Sequence, residues 1–110
     1  MQAFELSNLI PKFQREKHFY QEFLRPPSAS MSLGIYTLAA GATDPQLPHT
    51  EDEVYYVVSG RGQIQVAGED RPVQAGSIIL VKAGDDHRFH SITQDLTLLV
   101  FFAPAKGTSQ

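Results

Sequence analysis

Between Phe19 and Phe102, turn-forming residues interrupt the chain so often that short extended strands are the regular elements with room to form. The interruptions are Pro26-Pro27-Ser28, Ala40-Gly41-Ala42, Ser59-Gly60-Arg61-Gly62, Gly68-Glu69-Asp70, Ala75-Gly76, Ala83-Gly84-Asp85 and Thr93-Gln94-Asp95. The runs between them are rich in β-branched and aromatic residues. They predict strands at 19–24, 32–38, 54–59, 62–67, 71–74, 77–82, 87–92 and 96–102. Eight short strands at this spacing predict an all-β sandwich or barrel, and there is no glycine pattern for a dinucleotide or phosphate loop.

The hydrophobic pattern indicates which runs are covered. Neither face is polar in Val54-Tyr55-Tyr56-Val57-Val58 or Ile78-Ile79-Leu80-Val81, so both faces are expected to be buried. Gln63-Ile64-Gln65-Val66 alternates, which leaves one face to water or a polar cavity. The run 96–102, LTLLVFF, belongs centrally or against a second subunit. Residues 1–17 read as an arm lying on the body, with a helical turn from Ser7 that Pro11 limits. Residues 18–104 read as one domain, and 105–110 as a disordered tail.

Composition excludes several functions. The net charge is −3 and no basic cluster exists, which argues against nucleic acid as a partner. No apolar run approaches the length of a spanning helix, and the N-terminus lacks signal-peptide features, so a cytoplasmic protein with no membrane partner is expected. Without cysteine there is no thiolate nucleophile and no disulfide framework.

Against that background, three residues point to metal chemistry. His49 precedes Glu53 by four residues, directly ahead of a strand, and His87 follows the turn Gly84-Asp85-Asp86 at the start of another. Two imidazoles and a carboxylate suit a divalent transition metal, and with open positions they form the arrangement of non-heme Fe(II) oxygenases. Taken singly, each has an ordinary explanation: a surface histidine, a core histidine, a solvated acid. Matched strand starts after matched turns are what join them. The acidic residues Glu51, Asp52, Asp85 and Asp86 flank the set, favour a cation and are expected to raise both histidine pKa values. Asp85 and Asp86 read either as acceptors that orient His87 or as plain turn residues. His90 is out of phase with His87 and is expected outside the site, and His18 reads as structural.

The same residues resemble the cupin family. Its first motif runs Gly, five residues, His-x-His, three or four residues, Glu, six residues, Gly; Gly41, His49, Glu53 and Gly60 fall in register. Its second runs Gly, five residues, Pro-x-Gly, two residues, His, three residues, Asn; Gly76, Gly84 and His87 fall in register. The resemblance covers roughly residues 34–103 and implies a double-stranded β-helix, or jelly-roll barrel, with a metal in its mouth. Leu47 stands in place of the first motif His, Lys82 in place of the Pro and Ser91 in place of the Asn. Three alternatives follow: a triad of His49, Glu53 and His87; a fourth ligand from Gln46, or less well Glu51; or a cavity that no longer holds metal.

The expected cofactor is one divalent transition metal per chain, Fe(II) first, with Mn, Ni or Zn as alternatives. Tyr36, Tyr55, Phe89, Phe101 and Gln63 are candidates for the cavity wall; the two tyrosines read equally as core packing, the two phenylalanines as wall or core, and Gln63 as polar wall or plain surface. The expected function is metal-dependent dioxygenase chemistry on a small organic substrate. The alternatives are a non-catalytic ligand-binding cupin and a metal-dependent isomerase or lyase. Phe4, Leu9, Ile10, Phe13, Phe19 and Phe23 have no evident place within one sandwich, so a homodimer is expected.

Overall fold

The computed structural model describes residues 1–16, 19–46 and 48–107, with residues 14–16 as backbone only. His18 and Leu47 therefore lie outside the described residues. The elements are α1 (Leu6–Glu16), β1 (Tyr20–Leu24), β2 (Ser32–Leu38), β3 (Asp52–Val66), β4 (Glu69–Gln74), β5 (Ile78–Val81) and β6 (His87–Ala103). The strands form one antiparallel sheet in the order β1-β2-β6-β3-β4, with β5 on the first half of β3. The two long strands bend through it and give an all-β jelly roll.

Six strands stand where eight were expected, because two apparent turns are bends inside strands. The expected runs 54–59 and 62–67 are both β3, and 87–92 and 96–102 are both β6. The β3–β6 register shifts between Val57 and Ser59, Ser59 and Arg61, and Arg61 and Gln63, so the pair kinks without separating. Gly60 makes this possible. Its φ is 102°, and a Cβ there would sit 2.2 Å from the backbone oxygen of Asp95. The closing glycine of the first motif is thus the point where the two central strands touch.

The N-terminal arm is more regular than the sequence suggested. α1 runs through Pro11 to Glu16, and the lost hydrogen bond is offset by packing on β2, where Phe13 is 7% exposed and Leu9 and Ile10 are half-buried. Phe4 meets Phe23 edge-on, their centroids 5.2 Å apart. Most of the arm's apolar residues therefore have partners within the chain. The expected tail is also partly corrected: Ala105 is fully buried and its amide donates to the Ala29 carbonyl at 3.0 Å.

The core lies between the facing inner surfaces of the roll. The inward rows pair Glu53 with Phe102, Tyr55 with Val100 and Val57 with Leu98. Full burial of each such apolar side chain contributes about 1.5–3 kcal/mol. The outward rows are apolar as well. One runs Leu33, Phe101, Val54, Leu80 and the other Ile35, Leu99, Tyr56, Ile78 across β2, β6, β3 and β5. Ile35 is buried beside α1, but Ile78 and Leu80 at the β5 end are 68% and 57% exposed.

Candidate metal centre

The loop before β3 carries His49, β3 carries Glu53 as its second residue, and β6 begins with His87. Two hydrogen bonds tie the sequence-distant loops together. Gly84 N donates to the His49 carbonyl at 2.7 Å, and Ala83 N donates to Asp52 Oδ1 at 2.8 Å. The φ of 83° at Gly84 lets that loop turn back on itself. As a result the His49 and His87 rings lie 5.3 Å apart, and donor atoms of His49, Glu53 and His87 all fall within 4.8 Å of one another.

The hydrogen bonding shows what the cluster lacks. His87 Nδ1 is 2.9 Å from the Asp85 carbonyl, which can only accept, so Nδ1 carries the proton. His87 Nε2 then faces Glu53 Oε1 at 2.8 Å and Gln46 Oε1 at 3.2 Å. Gln46 is held in that orientation, because its Nε2 donates to Asp44 Oδ2 at 2.7 Å and its Oε1 accepts from the Tyr55 hydroxyl at 2.7 Å. Glu53 is 2% exposed, and neither of its oxygens receives a well-formed hydrogen bond. Acceptors converge from several sides on one point. Either a proton on His87 or a bound cation must satisfy them.

Electrostatics divide the two imidazoles. Burial lowers the His87 pKa, but Glu53 and the Asp85 carbonyl outweigh it and leave the ring above its ordinary value. Burial dominates at His49 and holds it below the ordinary value despite the pull of Glu53. The flanking acids thus do not raise both, as expected from sequence. Asp85 orients His87 through its backbone carbonyl, and Asp52 serves the loop tie.

Behind the cluster lies a network that sequence reasoning missed. Asp44 is buried and accepts from the Tyr36 hydroxyl, from Gln46 Nε2 and from the Phe89 amide at 2.8 Å. Burial first, and then the Asp44 carboxylate, push the Tyr36 hydroxyl far up; burial followed by Glu53 does the same to Tyr55. Both phenols remain protonated donors.

A cavity of about 270 Å³ opens on the cluster, lined in part by Tyr36, Tyr55, Gln46, His49, Glu53 and Phe102. Of the other wall candidates, Phe89 is core, edge-on to Tyr55 at 5.0 Å. Phe101 points to the outer face of the sheet, since it falls one residue from the inward Phe102. Gln63 lines a separate depression with Arg61 and Arg71. Glu51 is buried against the Thr50 hydroxyl and stays outside the cluster. His90 pairs with Asp70 at 2.5 Å, away from the site. Ser91, at the motif's Asn position, has a φ of 49°, a conformation that asparagine tolerates better than most residues.

Comparison with known proteins agrees with this geometry. An uncharacterized protein of Streptomyces coelicolor is 47% identical over 107 residues, covering 97% of this chain and 100% of the relative. Among solved structures, the DMSP lyase DddQ of Ruegeria pomeroyi superposes with a TM-score of 0.70 at 18% identity, over 76% of this chain and 45% of that one. A predicted oxalate decarboxylase of Thermotoga maritima gives 0.67 at 21% identity, over 77% of this chain and 78% of that one. Both likenesses concern the fold. The cupin domain profile matches residues 34–102, from the strand ahead of the first motif to the inward phenylalanine beside Glu53, and the chain belongs to the cupin family.

Proposed function

We propose that the chain is a cytoplasmic mononuclear metalloenzyme of the dioxygenase type, acting on a small organic substrate. His49, Glu53, His87 and Gln46 Oε1 would hold one divalent ion, with Fe(II) preferred and Mn, Ni or Zn as alternatives. The observation that carries this is the buried Glu53 carboxylate, whose two oxygens lack hydrogen-bond donors while a lone-pair-bearing His87 Nε2 and Gln46 Oε1 face the same point. Bound there, Fe(II) would supply redox chemistry with O2, and a redox-inert ion would supply Lewis-acid polarisation.

The protein's own part is positioning. The Asp85 carbonyl fixes the His87 tautomer, and Asp44 and Tyr55 fix the Gln46 amide, as outer partners of metal ligands generally do. Phe102 stands edge-on to His49 at 5.2 Å and, with Tyr20, shields the centre from water. Tyr36 and Tyr55 already spend their protons on Asp44 and Gln46, so neither is a free base.

A second reading rests on Tyr20. Its hydroxyl is buried at the cavity wall and makes no well-formed hydrogen bond, and burial pushes its pKa far up, so it stays protonated and would donate a hydrogen bond to a substrate oxygen in metal-assisted lyase or isomerase chemistry. The lyase and decarboxylase among the fold neighbours support it. A homodimer is part of the proposal: the exposed Ile78 and Leu80 end the two outward apolar rows, and a second copy would cover them.

Metal content after chelator-free purification, followed by O2 uptake with Fe(II) and a panel of small organic acids, tests the reading. About one ion per chain with substrate-dependent O2 loss supports the oxygenase. Anaerobic substrate loss supports the Tyr20 reading, and binding without turnover supports the non-catalytic alternative. No metal under any supplementation overturns the centre itself.

A further inference from the structure

The described part of the chain ends in a built segment. Lys106 N donates to Ser32 Oγ at 3.0 Å, Arg25 Nη2 donates to the Lys106 carbonyl at 2.7 Å, and Ala105 is fully buried beside them. These bonds place the Lys106 side chain in the wall of the 270 Å³ cavity. Its ammonium lies over the Tyr20 ring, 4.9 Å from the centroid. No ion pair within the described residues involves it. A flexible lysine that had only to be solvated would not need its backbone fastened on both sides.

The rest of the wall shows what the ammonium is for. Phe19, Tyr20, Val100 and Phe102 give the cavity an apolar body, and among the described residues Lys106 is the one lysine or arginine lining it. The lining carboxylate, Glu53, already faces His87. The ammonium is therefore left without a counter-ion in the described wall, which the carboxylate of a ligand would supply, and a divalent ion in the donor set would add to the positive charge.

We propose that Lys106 makes this cavity selective for small organic carboxylates whose charged end sits on the ammonium and whose apolar body lies against Tyr20 and Phe102. The volume has room for about nine water-sized groups at ~30 Å³ each, the size of a benzoate or a short branched acid. This names the substrate class of the proposed metal site and depends on that site only for what holds the ligand's other end.

The test uses benzoate and hexanoate with their uncharged amides, benzamide and hexanamide, titrated calorimetrically into metal-free and Zn(II)-loaded protein. In the metal-free wild type the acids bind about 10- to 100-fold more tightly than the amides, the range expected for a charge-assisted contact. Lys106→Gln removes that preference and binds Zn(II) at least as tightly, because it loses a positive charge near His49, whereas Lys106→Arg keeps most of the preference. Acids that bind no better than amides, or a Lys106→Gln protein that still prefers acids, would overturn the proposal. If wild-type protein binds no Zn(II) yet prefers benzoate, the metal reading fails and the anion site stands. If it binds Zn(II) but shows no acid preference without metal, the anion site fails and the metal reading stands.

Discussion

Replacing Glu53 by glutamine should raise the stability of the metal-free protein while abolishing its response to metal. Glu53 is 2% exposed, and its oxygens have no donor other than a proton on His87 Nε2, 2.8 Å away. At a pH above the folded His87 pKa, which, over the opposing effect of burial, Glu53 and the Asp85 carbonyl raise, that proton is gone and a buried carboxylate faces a lone pair. An unsatisfied buried polar group costs about 1–3 kcal/mol. Glutamine keeps the shape and loses the charge, and its amide can donate to His87. Above that pKa, metal-free Glu53→Gln should therefore gain about 1–3 kcal/mol, and each kcal/mol moves the melting temperature by roughly 4–8 °C in a domain near this size. Wild-type protein with free metal at 100 times its dissociation constant gains about 2.7 kcal/mol, whereas the variant, short of its anionic ligand, gains little. Metal should then reverse the order of stabilities. Urea unfolding with and without chelator, repeated at rising pH until the metal-free difference levels off, reads this directly. A metal-free variant less stable than wild type by more than about 1 kcal/mol, or one with an undiminished metal response, would falsify the reasoning.

Four further outcomes follow from other parts of the structure. Gly60→Ala should lose at least about 2 kcal/mol in urea unfolding, from a strained φ and a clash with the Asp95 oxygen. Gly41→Ala, with φ 78° but open space around it, should lose about 1 kcal/mol; equal losses would refute the close approach. Gln46→Leu and Asp44→Asn should each weaken metal binding about 10- to 100-fold in chelator competition, and unchanged affinity would remove Gln46 from the donor set. For pH, the raised His87 pKa stabilises the metal-free fold below about 6.5, an effect lost as pH rises through the folded value; the lowered His49 pKa has the opposite sign. Metal requires both rings neutral, so metal-induced stabilisation should be larger at pH 8 than at pH 5.5, and equal values would argue against histidine ligation. Finally, Ile78→Lys with Leu80→Glu should convert a dimer to a species near 12.2 kDa by light scattering; a wild-type protein already at that mass would refute the dimer.

His49, Glu53 and His87 were legible because Glu53 and His87 stand at strand starts just after turn chemistry, with His49 in the loop leading into the first, and such positions share one end of a roll. Gln46 was legible only as an acceptor one residue off the motif. Asp44 was not, because an acid before a proline reads as loop, and its partners Tyr36 and Phe89 come from other strands. The strand count failed at Gly60 and Asp95 because turn residues also serve where two strands must touch and bend together. Phe101 and Gln63 turn away from the cavity by strand phase, since a position one residue from an inward side chain faces the other way; for Gln63 that is the surface alternative. Lys106 was invisible for a different reason. Six polar and small residues after a proline carry no pattern, and it is the bonds to Ser32, Arg25 and Ala29 that reveal the segment to be fastened.

That fastening sets a boundary inside the cavity. The family profile spans residues 34–102, which includes every donor of the candidate centre. Phe19, Tyr20 and Lys106, which shape and charge the rest of the wall, all lie outside it. Family barrel and flanking segments thus meet in one chamber, the first carrying the candidate donors and the second a lysine and two aromatic rings. On the proposed reading, selectivity can change through the two ends while the donor set is left untouched. A comparison confined to residues 34–102 would see the donors and miss that part of the wall.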